Sequence, residues 1–312
     1  MESIKESFKQ IPGYAKFQKD YNALKFKVLN DPTVASFIES HPELTQASIE
    51  RSLPRLFEYI QEQAKCANCP GLANCPNMMK GYQPKLGAGR NTIDLSYEKC
   101  ELKLQEDKQK SIVSLIKSYF IPKEILEATF DKLHRIDKER KEAIFYATQF
   151  VTDVCSGKET KGLYFYGKFG VGKTFLLGAI ANKLAERQVQ SLIVHTPEFL
   201  REIKNSLSEG TFQEKMDLLK KVPVLMLDDI GAENMSPWIR DEVLGVILQF
   251  RMMEKLPTLY SSNFDFDLLQ EHFYCSEKSG LEEAKAKRIM ERIRHITIPV
   301  FIGGSKNFRT LS

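Results

Sequence analysis

Gly167-Lys168-Phe169-Gly170-Val171-Gly172-Lys173-Thr174 fits the pattern G-x-x-x-x-G-K-[ST] of a phosphate-binding loop between a strand and a helix. Glycines at 167, 170 and 172 let the backbone curl until successive N–H groups point inward at anionic oxygens. A helix beginning at Lys173 adds its positive dipole end. Lys173 offers a point charge to the β- and γ-phosphates, and the Thr174 hydroxyl completes the shell of a Mg²⁺ ion. A bare match arises by chance, so the setting matters. Apolar Leu163-Tyr164-Phe165-Tyr166 precedes the loop as a strand, and Phe175-Leu176-Leu177-Gly178-Ala179-Ile180 follows it as a helix. The expected ATP-binding residues are Gly167, Gly170, Val171, Gly172, Lys173, Thr174 and Phe175.

Outward from this loop, an apolar run ends in two acids: Val222-Pro223-Val224-Leu225-Met226-Leu227-Asp228-Asp229. That pattern puts carboxylates at the carboxyl end of a buried strand, where a phosphate-bound Mg²⁺ sits. Asp228 is expected to hold the magnesium, mainly through its water shell, together with Thr174. Asp229 is expected to orient or deprotonate the attacking water. Ser261-Ser262-Asn263 closes a further strand, and the Asn263 amide there can sense the γ-phosphate, although Asn is also a common strand-end cap.

Strand-like segments Gly162–Tyr166, Ser191–Thr196, Val222–Leu227, Thr258–Ser261 and His295–Val300 alternate with helical stretches. Thr196-Pro197 and Ser236-Pro237 read as a cap followed by proline at the first helical position. This alternation implies an α/β fold, a central parallel sheet flanked by helices. Residues up to about 64 read as helical, with Leu44 to Ile60 carrying Ile49, Leu53, Leu56, Phe57 and Ile60 at helical spacing. Asp31-Pro32 and Ser40-His41-Pro42 mark breaks. That amphipathic face is either core or a partner surface. Asn91–Tyr97 alternates like a short strand, and Glu101–Lys110 is either helix or linker. The expected division is 1–106 as a helical, zinc-binding domain, 107–125 as a linker, and 126–312 as the ATPase domain.

Composition narrows the classes. Forty-five basic and 41 acidic residues nearly cancel to a net +4 over 312 residues, so the charge permits nucleic-acid contact without arguing for it. No apolar run of about 18 residues appears, so no membrane span is expected. The mixed-charge start Met1-Glu2-Ser3-Ile4-Lys5-Glu6 lacks an apolar segment, so it does not read as a secretion signal. A cytoplasmic location is therefore expected, and with it thiols or metal ligands in place of disulfides among the six cysteines. Cys66-x₂-Cys69-x₅-Cys75-x₂₄-Cys100 supplies four soft ligands suited to a closed, structural tetrahedral Zn²⁺ site. Cys155 and Cys275 stand alone and read as plain thiols.

Taken together, Gly167–Thr174, Leu227-Asp228-Asp229-Ile230-Gly231-Ala232-Glu233, Ser261–Phe264 and Arg288-Ile289-Met290-Glu291-Arg292-Ile293 resemble the AAA+ ATPases. Within them they closely match the helicase loaders of the DnaC/DnaI type, and with the cysteine-rich N-terminal part the resemblance covers essentially the whole chain. The resemblance implies an AAA+ P-loop domain behind a small, mostly helical, zinc-binding domain that contacts the helicase. It implies ATP-dependent delivery of a replicative hexameric helicase of the DnaB type onto single-stranded DNA, alongside other primosome proteins. It also implies self-association, with Arg292 of one subunit reaching the nucleotide of the next and Arg288 in support. Arg309 is a weaker candidate for a second sensor in the same subunit. In the family a histidine can ligate the zinc. At the Gly81-Tyr82-Gln83-Pro84 turn this chain has Gln83, which favours Cys75 but leaves the fourth ligand open.

Two departures stand out. Asp229 takes a place where many AAA+ proteins have Glu, which fits slow or partner-dependent hydrolysis. Little chain follows Val300, so no lid domain of the usual size is expected. Ile121–Phe130 lies where related ATPases contact adenine, or is ordinary packing. Lys220-Lys221 and Lys285-Ala286-Lys287-Arg288 read as DNA backbone contacts or as solvated faces. The competing functions are an ATPase partner of a transposase and an ATP-binding regulator without significant turnover.

Overall fold

The computed structural model describes residues 14–89, 91–133, 138–274 and 280–304. Arg309 and Cys275 lie outside them. The chain divides into two compact units, Met1–Gln109 and Lys110–Ser312.

In the first unit, helices α1 (Tyr14–Leu29), α2 (Pro32–Glu39), α3 (Gln46–Arg51) and α4 (Leu53–Ala67) precede a hairpin of β1 (Tyr82–Ala88) and β2 (Ile93–Lys99). The Asp31 side chain accepts from the Thr33 and Val34 amides and so caps α2. Leu44–Ile60, expected as one helix, is two. Pro54 has no amide proton to donate back, so the chain breaks at Ser52 and restarts. The freed Ser52 hydroxyl donates to Ser48 O (2.8 Å) and accepts from the Ile93 amide (2.7 Å), tying the break to the hairpin. Val28, Val34, Leu53, Leu56 and Ile93 form the core, so in this unit the amphipathic face is core. Of the Gly81–Pro84 segment, expected as a turn, Gly81 lies in a turn and Tyr82–Pro84 begin β1.

Helix α5 (Glu101–Ser114) contains the point of division. The 107–125 stretch expected as linker holds the end of α5, strand β3 (Ile116–Tyr119) and a short helix α6 (Lys123–Leu126). The second unit continues with α7 (Lys138–Cys155), β4 (Gly162–Tyr166), α8 (Lys173–Glu186), β5 (Ser191–His195), α9 (Thr196–Glu209), α10 (Phe212–Lys221) and β6 (Val224–Asp228). A π-helical turn at Ile239–Leu244 leads into α11 (Gly245–Met253). Then follow β7 (Thr258–Ser262), α12 (Phe266–His272), α13 (Gly280–Ile296) and β8 (Thr297–Phe301). His295 belongs to α13, where a strand start was expected. Thr196 is the first residue of α9, and His195 holds the cap position.

Six strands form one parallel sheet in the order β3-β5-β6-β7-β4-β8. Side chains alternate between its faces. Tyr164, Leu192, Val194, Leu225, Leu227 and Tyr260 enter one apolar cluster; Leu163, Phe165, Ile193, Val224, Met226 and Leu259 enter the other. Both β6 and β7 are buried throughout, as a sheet covered by helices on both faces requires. From β4 the chain crosses to β5 on one side, while β8 lies on the other. The loop after β4 thus sits where the strand order reverses, the usual place for a ligand in such sheets.

Arg251 anchors the opposite, amino-terminal edge. Fully buried on α11, its guanidinium donates to Val222 O and Pro257 O (2.7 Å each), to Leu219 O and Lys220 O (3.1 Å each) and to Thr258 Oγ1 (2.8 Å). It thereby satisfies the last carbonyls of α10 and the entrances of β6 and β7. Burial pushes its pKa down to about 10, so it stays charged at neutral pH. Arg251→Met is expected to strand these carbonyls and cost roughly 2–4 kcal/mol, read as a lower denaturation midpoint of the full chain.

Candidate nucleotide site

The carboxyl ends of β4, β6 and β7 lie side by side and deliver the site. The loop 167–172 follows β4 and runs into α8 at Lys173, with Gly172 left-handed at the cap position (φ 93°). Gly167 also has a positive φ (150°), and a Cβ there would meet Ile302 O at 2.2 Å, so no other residue fits. Lys173 Nζ donates to Gly167 O (2.8 Å), Lys168 O (2.9 Å) and Asn263 Oδ1 (2.8 Å). Thr174 Oγ1 donates to Asp228 Oδ1 (2.9 Å). Asn263 Nδ2 in turn donates to Asp229 Oδ1 (2.8 Å). The phosphate loop, both acids and the strand-end amide are one hydrogen-bonded constellation.

Asp229 is one of few non-glycine residues with a positive φ (56°). Burial, and then the charge of Asp228, raises its carboxyl above the ordinary range. His195 ends β5 with Nδ1 3.7 Å from Asp228 Oδ2, and its pKa is raised by that carboxylate. A cavity of about 750 Å³ opens over these groups, lined by Lys173, Thr174, Asp228, Asp229 and Asn263 on its polar side and by Phe120, Ile121, Ile125, Leu133 and Phe169 on its apolar side. The volume suits a nucleotide-sized ligand. A lysine and an oxygen pair from Thr174 and Asp228 suit the triphosphate with Mg²⁺.

Phe175 also lines the cavity, whereas the Val171 side chain packs into the core. Ile121 and Ile125, from the segment weighed for adenine, sit on the cavity wall. Asn182 holds that wall: its Nδ2 donates to Leu126 O (2.7 Å) and Ala128 O (2.9 Å). Gly178 permits the approach, because a Cβ there would meet Ile125 O at 2.1 Å.

Sequence reasoning assigned no role to three residues found here. Ser261 Oγ lies 2.5 Å from Asp228 Oδ1 and accepts from the Asp229 amide (2.9 Å). His195 faces Asp228. Arg140 lies on the cavity wall and donates to Val171 O (2.7 Å), supporting the loop. Arg140 stands in a run of mixed charges, His195 at a strand end and Ser261 among the polar residues that close a strand, none of them carrying a local signal.

The remaining expected residues lie elsewhere. Arg292 Nη1 donates to Gly245 O (3.0 Å), and Arg292 lines a separate groove of about 490 Å³ with Met252, Arg288, Glu291 and His295. Lys221 pairs with Asp217, Lys285 with Asp241 and Lys287 with Glu283. Among the cysteines, Cys66 Sγ accepts from Asn77 Nδ2 (3.0 Å), Cys75 Sγ from the Gly81 amide (3.5 Å), and the Cys100 amide donates to Gly81 O (2.9 Å). Among the described residues, no three His, Cys, Asp or Glu side chains are gathered closely enough to hold a metal ion. No described helix is long and apolar enough to cross a membrane.

A phosphate loop, an acid-ended buried strand and a strand-end amide, converging on the carboxyl edge of a parallel sheet, define an ATPase-type domain of the AAA+ class. Comparisons with known proteins agree: residues 127–255 match the family described as bacterial DnaA ATPase domain, and residues 1–97 match primosomal protein DnaI N-terminus. The chain is 45% identical over 305 residues to the replicative helicase loader DnaI of Bacillus subtilis strain 168, covering 97% of this chain and 98% of that one. A crystal structure of DnaI is 51% identical with a TM-score of 0.56, over 64% of this chain and 99% of its own. A putative primosome component from Streptococcus pyogenes is 36% identical with a TM-score of 0.54, over 64% and 98%. The chain belongs to the DnaI family of replicative helicase loaders.

Asn182→Ala is expected to free the 121–128 wall and raise the Kd for ATP by about tenfold (1.4 kcal/mol). Calorimetry checks this, with an unchanged far-UV spectrum showing that the fold persists.

Proposed function

We propose that this chain is an ATP-dependent loader that binds the replicative hexameric helicase of the DnaB type and delivers it onto single-stranded DNA. The observation that carries this reading is the likeness to a replicative helicase loader along nearly the full length of both chains. The phosphate-site geometry supports it independently. Co-elution of the full chain with its host's replicative helicase tests it, and no complex in any nucleotide state would sink it.

In this reading Lys173 and the loop amides bind the β- and γ-phosphates. Thr174 and Asp228 hold the Mg²⁺, which neutralises charge on the phosphates when bound. Asp229, its carboxyl raised by burial and by Asp228, takes or directs the proton of the attacking water. Asn263, bonded to both Lys173 and Asp229, connects the phosphate end to the water end and so senses the γ-phosphate. Arg292 faces its own groove on the same subunit and serves the nucleotide of a neighbouring copy, with Arg288 beside it. Hydrolysis is slow or partner-dependent, because Asp229 is one methylene shorter than Glu and the arginine arrives only on assembly. Lys173→Ala is expected to abolish ATP binding. Arg292→Ala should keep binding and lose turnover measured with helicase and single-stranded DNA; normal turnover would remove Arg292 from this role.

The first unit is the helicase-binding part, and we read Cys66, Cys69, Cys75 and Cys100 as its Zn²⁺ ligands. N–H donors from Asn77 and Gly81 already point at the Cys66 and Cys75 sulfurs, as the outer partners of metal ligands do. Metal binding must then gather the thiols more tightly than they stand. Elemental analysis of the purified chain should find about one zinc per chain; a folded, metal-free first unit would overturn this assignment.

A further inference from the structure

We propose that Ser261 is a positioning residue for the nucleotide reaction: its hydroxyl sets the orientation of the Asp228 carboxylate and, with the same oxygen, fixes Asp229. This rests on the ATP-site reading above. Ser261 is 1% exposed on β7, beside the end of β6. The direction of its two hydrogen bonds is settled by chemistry. A backbone N–H only donates, so Ser261 Oγ accepts from Asp229 N (2.9 Å). Its single proton is then left for Asp228 Oδ1 (2.5 Å).

Asp228 Oδ1 thereby takes two donors, Thr174 Oγ1 at 2.9 Å and Ser261 Oγ at 2.5 Å. The carboxylate can no longer rotate without losing one of them. The Thr174 hydroxyl has its own task at the metal. Ser261 therefore supplies the second donor, one held by the neighbouring strand.

The same residue accounts for the backbone at Asp229. A left-handed conformation is disfavoured for a residue with a Cβ. Here it turns two successive amides toward Ser261: Asp229 N to Oγ and Ile230 N to the carbonyl oxygen, both at 2.9 Å. Ser262 Oγ returns a bond to Ile230 O (2.6 Å). With Asp229 so placed, its Oδ1 reaches Asn263 Nδ2 at 2.8 Å. Removing the Ser261 hydroxyl loosens Asp228 and leaves the Asp229 amide without its acceptor.

The test compares the full chain with Ser261→Ala and Ser261→Thr, the latter keeping the hydroxyl. ATP binding is measured by calorimetry with Mg²⁺ and with EDTA, and turnover with helicase and single-stranded DNA. For Ser261→Ala, the affinity in EDTA should stay within about twofold of the parent, while the gain from Mg²⁺ falls about tenfold, as is usual when a partner of a metal ligand is lost. Turnover should fall with it, and Ser261→Thr should restore both. An unchanged Mg²⁺ gain in Ser261→Ala, or a Thr variant as deficient as Ala, would overturn the proposal. If Ser261→Ala fails to fold, Ser261→Cys, similar in size with a weak donor, is measured against the same criteria. A parent chain without Mg²⁺-dependent ATP binding overturns the site reading as well; a parent that binds beside an unaltered variant overturns the role of Ser261 alone.

Discussion

The structure depends on satisfying one buried carboxylate. Asp228 ends a strand covered on both faces and is 4% exposed. A polar group so placed must find hydrogen-bond partners inside the protein. Its donors come from chain segments far apart in sequence: Thr174 from the helix after the phosphate loop and Ser261 from β7. Only a parallel sheet with β4, β6 and β7 as near neighbours brings those segments to the end of β6. The strand order and the hydrogen bonding of Asp228 therefore support each other.

The two edges of the sheet carry different work. At the amino-terminal edge Arg251 closes the entrances of β6 and β7 and the end of α10. At the carboxyl edge the backbone is left in conformations that serve binding: left-handed Asp229, and glycines where neighbouring chain approaches too closely for a Cβ. Conformational strain is tolerated there because the surrounding hydrogen bonds over-determine it. The first unit follows the same economy on a smaller scale. Its helix break at Ser52 is joined to the hairpin by the hydroxyl that the break exposes.

Much of the site was legible before any coordinates, because its signals are local. The glycine spacing of 167–172, the apolar run into Asp228 and Asp229, and the polar close of β7 at Asn263 each sit within a few residues. Strand positions follow from the same apolar runs, with boundaries shifted by at most two residues, as at His295, where α13 runs on before β8 begins. Elements that depend on distant partners carry no such local signal. Residues 107–125 were expected as linker, but Ile116–Tyr119 becomes a strand because the edge of β5 is there to receive it. Tyr82–Ala88 likewise becomes a strand because β2 pairs with it.

The sequence alone places a phosphate-loop pattern between a strand and a helix and names the acids and amide that accompany it. Those features depend on backbone freedom and on side-chain chemistry close along the chain. Only the tertiary structure decided that Lys173, Asn263 and Asp229 form one chain of bonds, that Ser261 is shared by both acids, and that Arg292 turns to a separate groove. Such facts arise from contacts across dozens of residues, and a one-dimensional pattern carries no record of which buried groups must satisfy one another.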